Sequence, residues 1–152
     1  MGKIMKKMVL IAALVAASAA QPGWAAGKAA SNCAAPSAME AEMAIRFMTD
    51  LMVVSSVCQD TIYAQFRLRN KDAIMAYQKA LIARFHGAAG FDRWNTSLAN
   101  QASQKQAGLR AAQVCEQSAP LLKQASALDP KGFRAYAAAQ ASASAQSAKC
   151  GK

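Results

Sequence analysis

The stretch from Glu40 to Phe66 limits the fold more than any other part of the chain, because its apolar residues recur at helical spacing. Five of them are separated by four, four, three and four positions: Met43, Phe47, Leu51, Val54 and Cys58. This spacing places all five on one face of an α-helix. It predicts a first helix that ends near Cys58 and turns that cysteine toward the core.

The rest of the chain is helical in character as well. Alanine dominates, β-branched residues are few and no strand-like alternation is visible. Short segments between the helical patterns favour antiparallel neighbours. The sequence therefore predicts an all-α fold, a small antiparallel bundle of four to five helices.

Capping residues set the expected helix boundaries. Ser37 and Glu40 have the spacing of a capping box at the start of the first helix. Asn70 is expected to cap a second helix, which Gly87 and Gly90 end. Residues 59–70, between the first and second predicted helices, fit either a short helix or a loop.

The second half of the chain is expected to hold the remaining helices. Asp92 would cap a third helix over residues 93–118, with Gly108 weakening its middle. Pro120 would start a short helix over residues 120–128. Asp129 and Pro130 form an N-cap and N1 pair for a last helix over residues 131–148.

The N-terminus has the features of a secretory signal peptide. Three lysines precede an apolar run from Met8 to Ala17, which is followed by small residues. A run of this length is too short to span a bilayer, and cleavage after Ala25 is favoured over cleavage near Ala20. We therefore predict a signal peptide over residues 1–25, a linker over 26–36 and a helical domain over 37–152. The mature protein is expected in the periplasm or outside the cell, with no integral membrane span.

All four cysteines follow the predicted cleavage site. An even number of cysteines in an exported chain predicts two disulfides. The first helix would separate Cys33 from Cys58 by roughly 30 Å, whereas bonded cysteines need Cα atoms within about 7 Å. The next helices would bring Cys115 level with Cys58, and the last helix would leave Cys150 beside Cys33. The nested pairing Cys58–Cys115 and Cys33–Cys150 is therefore predicted.

The chain is strongly basic. Its 18 lysines and arginines exceed 8 acidic residues, and removal of the three leader lysines lowers the formal net charge from +10 to +7. A local cluster consists of Arg67, Arg69, Lys71 and Lys79. Its usual meaning is a solvated face, and the alternative is a surface for an anionic envelope polymer, a lipid head group or a protein partner. Export makes a nucleic acid an unsuitable partner.

No motif indicates catalysis or a cofactor. The chain lacks a CxxC pair, and its widely spaced cysteines do not suggest zinc. His86 lies at a helix end, where it would cap carbonyl groups, and Asp50 is expected to bond to Arg84 or Arg93. A catalytic site assembled from Asn100, Asp50 and His86 is the least favoured reading, so no enzyme, metal or cofactor is predicted.

Methionines four positions apart raise one further alternative. The pairs are Met39 with Met43, and Met48 with Met52. Such thioether pairs can hold Cu(I) in the periplasm. Core packing is the simpler explanation, because methionine fills irregular gaps.

Several blocks in the middle of the chain resemble a family of small exported helical proteins from α-proteobacteria. The matching positions are Leu51 to Cys58, Tyr63, Phe66, Phe85, Gly87, Leu98 to Asn100, Ser103 and Cys115. They cover about the middle half of the chain; Cys33, Cys150 and the last helix lie outside them. The resemblance implies a helical fold and export, and the family is uncharacterised, so no function is implied.

These observations favour a non-catalytic binding or envelope-associated module. The alternative is a disulfide-pinned stress chaperone that would expose its apolar stripe when acidified. Suppression of client aggregation, compared at acid and neutral pH with the disulfides intact, would distinguish the two.

Overall fold

The computed structural model describes residues 36–147, and all regular structure within them is helical. Seven helices follow one another: α1 Pro36–Cys58, α2 Ile62–Arg69, α3 Lys71–Arg84, α4 Ala88–Gln106, α5 Ala111–Gln117, α6 Ala119–Ala127 and α7 Pro130–Ser147. The all-α prediction is confirmed. The expected number of four to five helices is too low for this part of the chain, and residues 59–70 contain a helix.

Helix α1 is the centre of the fold, because it packs against each of the other six helices. Phe47, Leu51 and Val54 are buried as predicted. Ala44 and Ile45 are fully buried too, although they lie off the predicted stripe. One apolar stripe was therefore too narrow a prediction, since helices cover α1 from several sides and its alanines let them approach closely.

An aromatic cluster joins α1, α2, α3 and α7. The ring centroids of Phe66 and Phe133 lie 4.9 Å apart, and those of Phe47 and Phe66 lie 5.5 Å apart. Tyr77 and Tyr136 pack against the same group. Each buried phenylalanine contributes about 1.5–3 kcal/mol through burial alone. The short helix α2 is thus held to the core through Phe66, which is fully buried.

The predicted third helix is in fact two helices. Helix α4 ends at Gln106, and α5 begins at Ala111. Gly108 lies between them with a φ of 82°, a backbone conformation that a helix cannot continue through. The break turns α5 back onto α1, where Cys115 bonds to Cys58.

The disulfide between Cys58 and Cys115 confirms one of the two predicted bonds. Its Cα atoms are 5.6 Å apart. It ties the end of α1 to α5. The predicted partners Cys33 and Cys150 lie outside the described residues, so their bond stays a prediction.

Two predicted caps are wrong. Helix α1 already includes Ser37, so this serine is not an N-cap. Its proposed partner Glu40 instead accepts a hydrogen bond from Tyr77. Helix α4 begins four residues before Asp92, which is exposed within it. The N-cap at Asp129 is confirmed, since its Oδ1 accepts a hydrogen bond of 2.6 Å from the amide of Gly132.

The turn into α4 depends on glycine. Gly87 has a φ of 125°, and a Cβ atom on Gly90 would lie 2.2 Å from the carbonyl oxygen of Phe85. Only a glycine at position 90 allows the first turn of α4 to approach the end of α3 so closely. Gly87 thus follows the end of α3, as predicted, whereas Gly90 belongs to the first turn of α4.

Candidate functional site

The four predicted cations lie on α2 and α3. Arg67 and Arg69 belong to α2, Lys71 and Lys79 belong to α3, and all four residues are exposed. Helix α2 ends at Arg69 and α3 begins at Lys71, with Asn70 as the single residue between them. Because the connection between α2 and α3 is this short, three of the cations lie within five positions of sequence.

Arg69 has a different role from the other three. Its Nε donates to the carbonyl of Leu128 at 2.9 Å, and its Nη2 donates to the carbonyls of Ala125 and Ser126 at 2.8 and 3.2 Å. These carbonyls belong to the end of α6 and the residue that follows it, where backbone acceptors lack helical partners. Arg69 therefore caps α6. The guanidinium that the sequence assigned to a ligand is engaged within the protein.

Asn70 occupies the N-cap position of α3, as predicted, but its side chain has another role. No side-chain cap bond forms at α3. Asn70 is fully buried, and its Nδ2 donates to the carbonyls of Phe66 and Leu128 at 3.0 and 3.3 Å. The amide thus links α2 to the segment before α7, and together with Arg69 it fixes the α2–α3 junction on the neighbouring helices.

A cleft of about 290 Å³ opens beside this junction. It is lined by residues 68–73, Pro130 and Arg134. We call it the basic cleft, because Arg69, Lys71 and Arg134 line it and Asp72 is the one acidic residue that does so. The sequence missed Arg134 as a member of this site, although the predicted helix start at Asp129 already placed it in the first turns of α7.

The remaining cations of this surface have no acidic partner among the described residues. Three ion pairs occur in that part of the chain: Arg46–Glu42, Arg84–Glu42 and Lys105–Asp50. None involves Arg67, Lys71, Lys79 or Arg134. Arg67 lies over the ring of Tyr63, with 5.6 Å between its guanidinium carbon and the ring centroid. The positive charge around the basic cleft is therefore not neutralised by ion pairs within the described residues.

Tyr77 packs against Phe133 in the first turn of α7, next to Arg134 in sequence. Its hydroxyl donates a hydrogen bond of 2.5 Å to Glu40, which joins α3 to α1. Burial, and secondarily the bond to Glu40, raises the pKa of Tyr77 well above its usual value, while the charge of Arg134 acts in the opposite direction. Tyr77 is thus a neutral hydrogen-bond donor, with a structural use.

Exposed apolar side chains occur on the same two helices. Leu68 is 80% exposed, and Met75 is 55% exposed. Leu68 lines the basic cleft. An isolated exposed leucine is common on protein surfaces, but here two large apolar side chains lie within the basic cluster.

The other sequence candidates are not gathered into one site. Asp50 pairs with Lys105 at 3.3 Å, so the expected partners Arg84 and Arg93 are wrong. Arg84 bonds to Glu42 instead. The cavity of about 60 Å³ beside Asp50 includes neither Asn100 nor His86 in its lining.

His86 serves the helix end through its backbone. It has a φ of 57°, and the amide of Gly87 bonds back to the carbonyl of Ile82 at 2.9 Å. This closes α3 with a left-handed residue. The predicted cap by the imidazole is not the interaction that the structure contains, because the exposed side chain forms no hydrogen bond within the described residues.

The methionine pairs are split between core and partly covered positions. Met39 and Met48 are buried, whereas Met43 and Met52 are partly exposed. The sulfur of Met43 accepts a hydrogen bond of 3.7 Å from Ser144. Across residues 36–147 no group of three or more histidine, cysteine, aspartate or glutamate residues is arranged to hold a metal ion.

In the same range, none of the helices combines the length and apolar character that crossing a bilayer requires. Comparison of the chain with protein-family models, with curated proteins and with solved structures gives no match in any of the three. The basic cleft and the exposed residues around it are therefore interpreted from their geometry and charge.

Proposed function

We propose that this protein is an exported, non-catalytic binding module whose α2–α3 surface binds an anionic component of the cell envelope. The observation that carries the proposal is the set of exposed cations around the basic cleft: Arg67, Lys71, Lys79 and Arg134. They lie on α2, α3 and α7, and within the described residues they have no ion-pair partner. Arg69 and Asn70 bond the α2–α3 junction to the end of α6 and to Leu128, two residues before α7.

Charge of one sign that is left unpaired at a surface raises the local concentration of opposite charges and accelerates their association. Screening reduces this attraction, since the Debye length falls from about 10 Å at 0.1 M salt to about 3 Å at 1 M. Binding through this surface should therefore weaken steeply as salt is added. Arg69 is expected to contribute through the position of its neighbours.

Export is part of the proposal. It is supported by the lysine-rich leader with its short apolar run and by the Cys58–Cys115 disulfide, a bond that persists mainly outside the cytosol. We further propose the second bond, Cys33–Cys150, and an antiparallel bundle closed by both. Recovery of a Cys33–Cys58 peptide after digestion without reduction would contradict this pairing.

The binding proposal is tested with a matched pair of triple variants of the mature protein. R67Q/K71Q/K79Q removes three positive charges from the proposed surface. R93Q/R110Q/K123Q removes the same charge from exposed residues on α4, the loop before α5, and α6. Both proteins are assayed for co-sedimentation with phosphatidylglycerol-containing vesicles and for retention on immobilised polyphosphate.

The first variant should lose at least tenfold in affinity at low salt, and the second should lose much less. Equal losses would mean that only net charge matters, and unchanged binding by the first variant would refute the proposed surface. Circular dichroism of each variant checks that the helices remain intact.

A further inference from the structure

The exposed apolar residues of the proposed surface lie in register with its cations. Lys71, Met75 and Lys79 follow one another at intervals of four positions, which places them along one side of α3. The buried residues of α3 lie on a different side: Ala73, Ile74, Tyr77 and Leu81. Met75, 55% exposed, is therefore directed away from the core between two lysines.

Leu68 extends the same arrangement onto α2. It lies between Arg67 and Arg69 in sequence, is 80% exposed, and lines the basic cleft with Lys71 and Arg134. Within residues 36–147 the remaining exposed large apolar side chain is Leu109, 36% exposed, in the loop between α4 and α5. The two most exposed large apolar side chains thus coincide with the basic surface.

A hydrated polyanion offers no apolar environment in which these side chains could be buried. The interface of a lipid bilayer offers both features: phosphate groups for the cations, and acyl chains a few ångströms below for leucine and methionine. Basic residues around apolar side chains are the composition of segments that lie in this interface.

Resting on the proposed function, we propose that the anionic partner is a lipid bilayer, and that Leu68 and Met75 insert into it while Arg67, Lys71 and Lys79 contact lipid phosphates. The basic cleft then accommodates a head-group phosphate between Lys71 and Arg134. Asp72 also lines the cleft, but Arg69, Lys71 and Arg134 outnumber it, so the cleft favours an anion.

Insertion and charge attraction are separated by the variant L68S/M75S, which keeps every charge. Complete burial of one leucine side chain corresponds to roughly tenfold to a hundredfold in a binding constant. We expect L68S/M75S to bind phosphatidylglycerol vesicles at least tenfold more weakly than the parent protein, and to bind polyphosphate equally well. The control L109S should bind both as the parent does.

A tryptophan at the insertion point provides a direct readout. The fluorescence of L68W should shift to the blue on addition of phosphatidylglycerol vesicles and should be quenched by brominated acyl chains. Addition of polyphosphate should leave its emission unchanged.

Insertion is refuted if L68S/M75S binds vesicles as tightly as the parent, or if its affinities for vesicles and polyphosphate fall equally. In that case R67Q/K71Q/K79Q decides whether the broader proposal survives. Loss of binding to both ligands by this triple variant retains the anion-binding surface without insertion, whereas unchanged binding by both variants refutes the two proposals together.

Discussion

Replacement of Arg69 by alanine should destabilise the fold, although the residue lies within an exposed basic cluster. Arg69 donates three hydrogen bonds to the carbonyls of Ala125, Ser126 and Leu128, across 56 to 59 residues of sequence. A hydrogen bond from a charged donor contributes about 1.5–3 kcal/mol to stability. Two of the three are open to water, so we expect about 2 kcal/mol for the whole set.

Urea unfolding followed by far-ultraviolet circular dichroism measures this loss, and thermal unfolding should show a fall in Tm of roughly 6–10 °C. Arg67→Ala is the matched control on the same helix. It removes a cation that contacts the Tyr63 ring and forms no ion pair within the described residues. We expect a loss of about 0.5–1 kcal/mol for it, the usual range for an exposed cation–π contact.

Arg69→Lys refines the comparison. Lysine keeps the charge, but its single ammonium group cannot present donors at the positions of both Nε and Nη2. We expect Arg69→Lys to lose about half as much free energy of unfolding as Arg69→Ala, although it keeps the charge. If Arg69→Ala and Arg67→Ala are equally stable, or if lysine restores full stability, Arg69 does not act as a cap.

Three other features allow quantitative tests. Gly90→Ala should cost about 2 kcal/mol in urea unfolding, because its Cβ would lie 2.2 Å from the carbonyl oxygen of Phe85. Reduction of the Cys58–Cys115 disulfide, which closes a separation of 57 residues, should lower the free energy of unfolding by about 4 kcal/mol. The pKa of Tyr77 is raised in the fold, so the stability it provides is complete below about pH 10, where an unfolded tyrosine begins to ionise, and is lost as pH rises further. Tyr77→Phe should flatten that alkaline loss.

Each of these tests has an outcome that contradicts it. Ala89→Ser, at an exposed position beside Gly90, should change stability by less than about 0.5 kcal/mol, and an equal effect at both positions would exclude the close approach as the cause. An unchanged urea midpoint after reduction would show that the disulfide adds nothing. An alkaline stability profile that is identical with and without the Tyr77 hydroxyl would remove Tyr77 as its source.

Local signals in the sequence predicted much of the helical structure. The spacing that ends at Cys58 predicted α1, and the Asp129–Pro130 pair predicted the start of α7, because caps and periodicity are determined by neighbouring residues. Cys58–Cys115 followed from helix length. Gly108 was recognised as a weak point, but propensity alone does not show whether a glycine bends a helix or ends it.

The parts that the sequence did not predict depend on contacts between distant residues. Arg69 and Arg67 are indistinguishable in the sequence, and only the position of α6 separates a capping guanidinium from a free one. Arg134 joins Lys71 at the basic cleft across 63 positions of sequence. Asp50 pairs with Lys105 across 55 positions of sequence, because α4 packs against α1.

The central position of α1 has a consequence for the order in which the chain folds. Its neighbour α7 is the last described helix, and the contact between Met43 and Ser144 joins residues 101 positions apart. Until α7 has been synthesised, Phe47 and Phe66 lack the ring of Phe133 that packs on both. We expect the nascent chain to stay unfolded through most of its synthesis. Ribosome-bound chains that end before Pro130 should be cleaved in α1 by a protease, and protection of α1 in them would contradict this order.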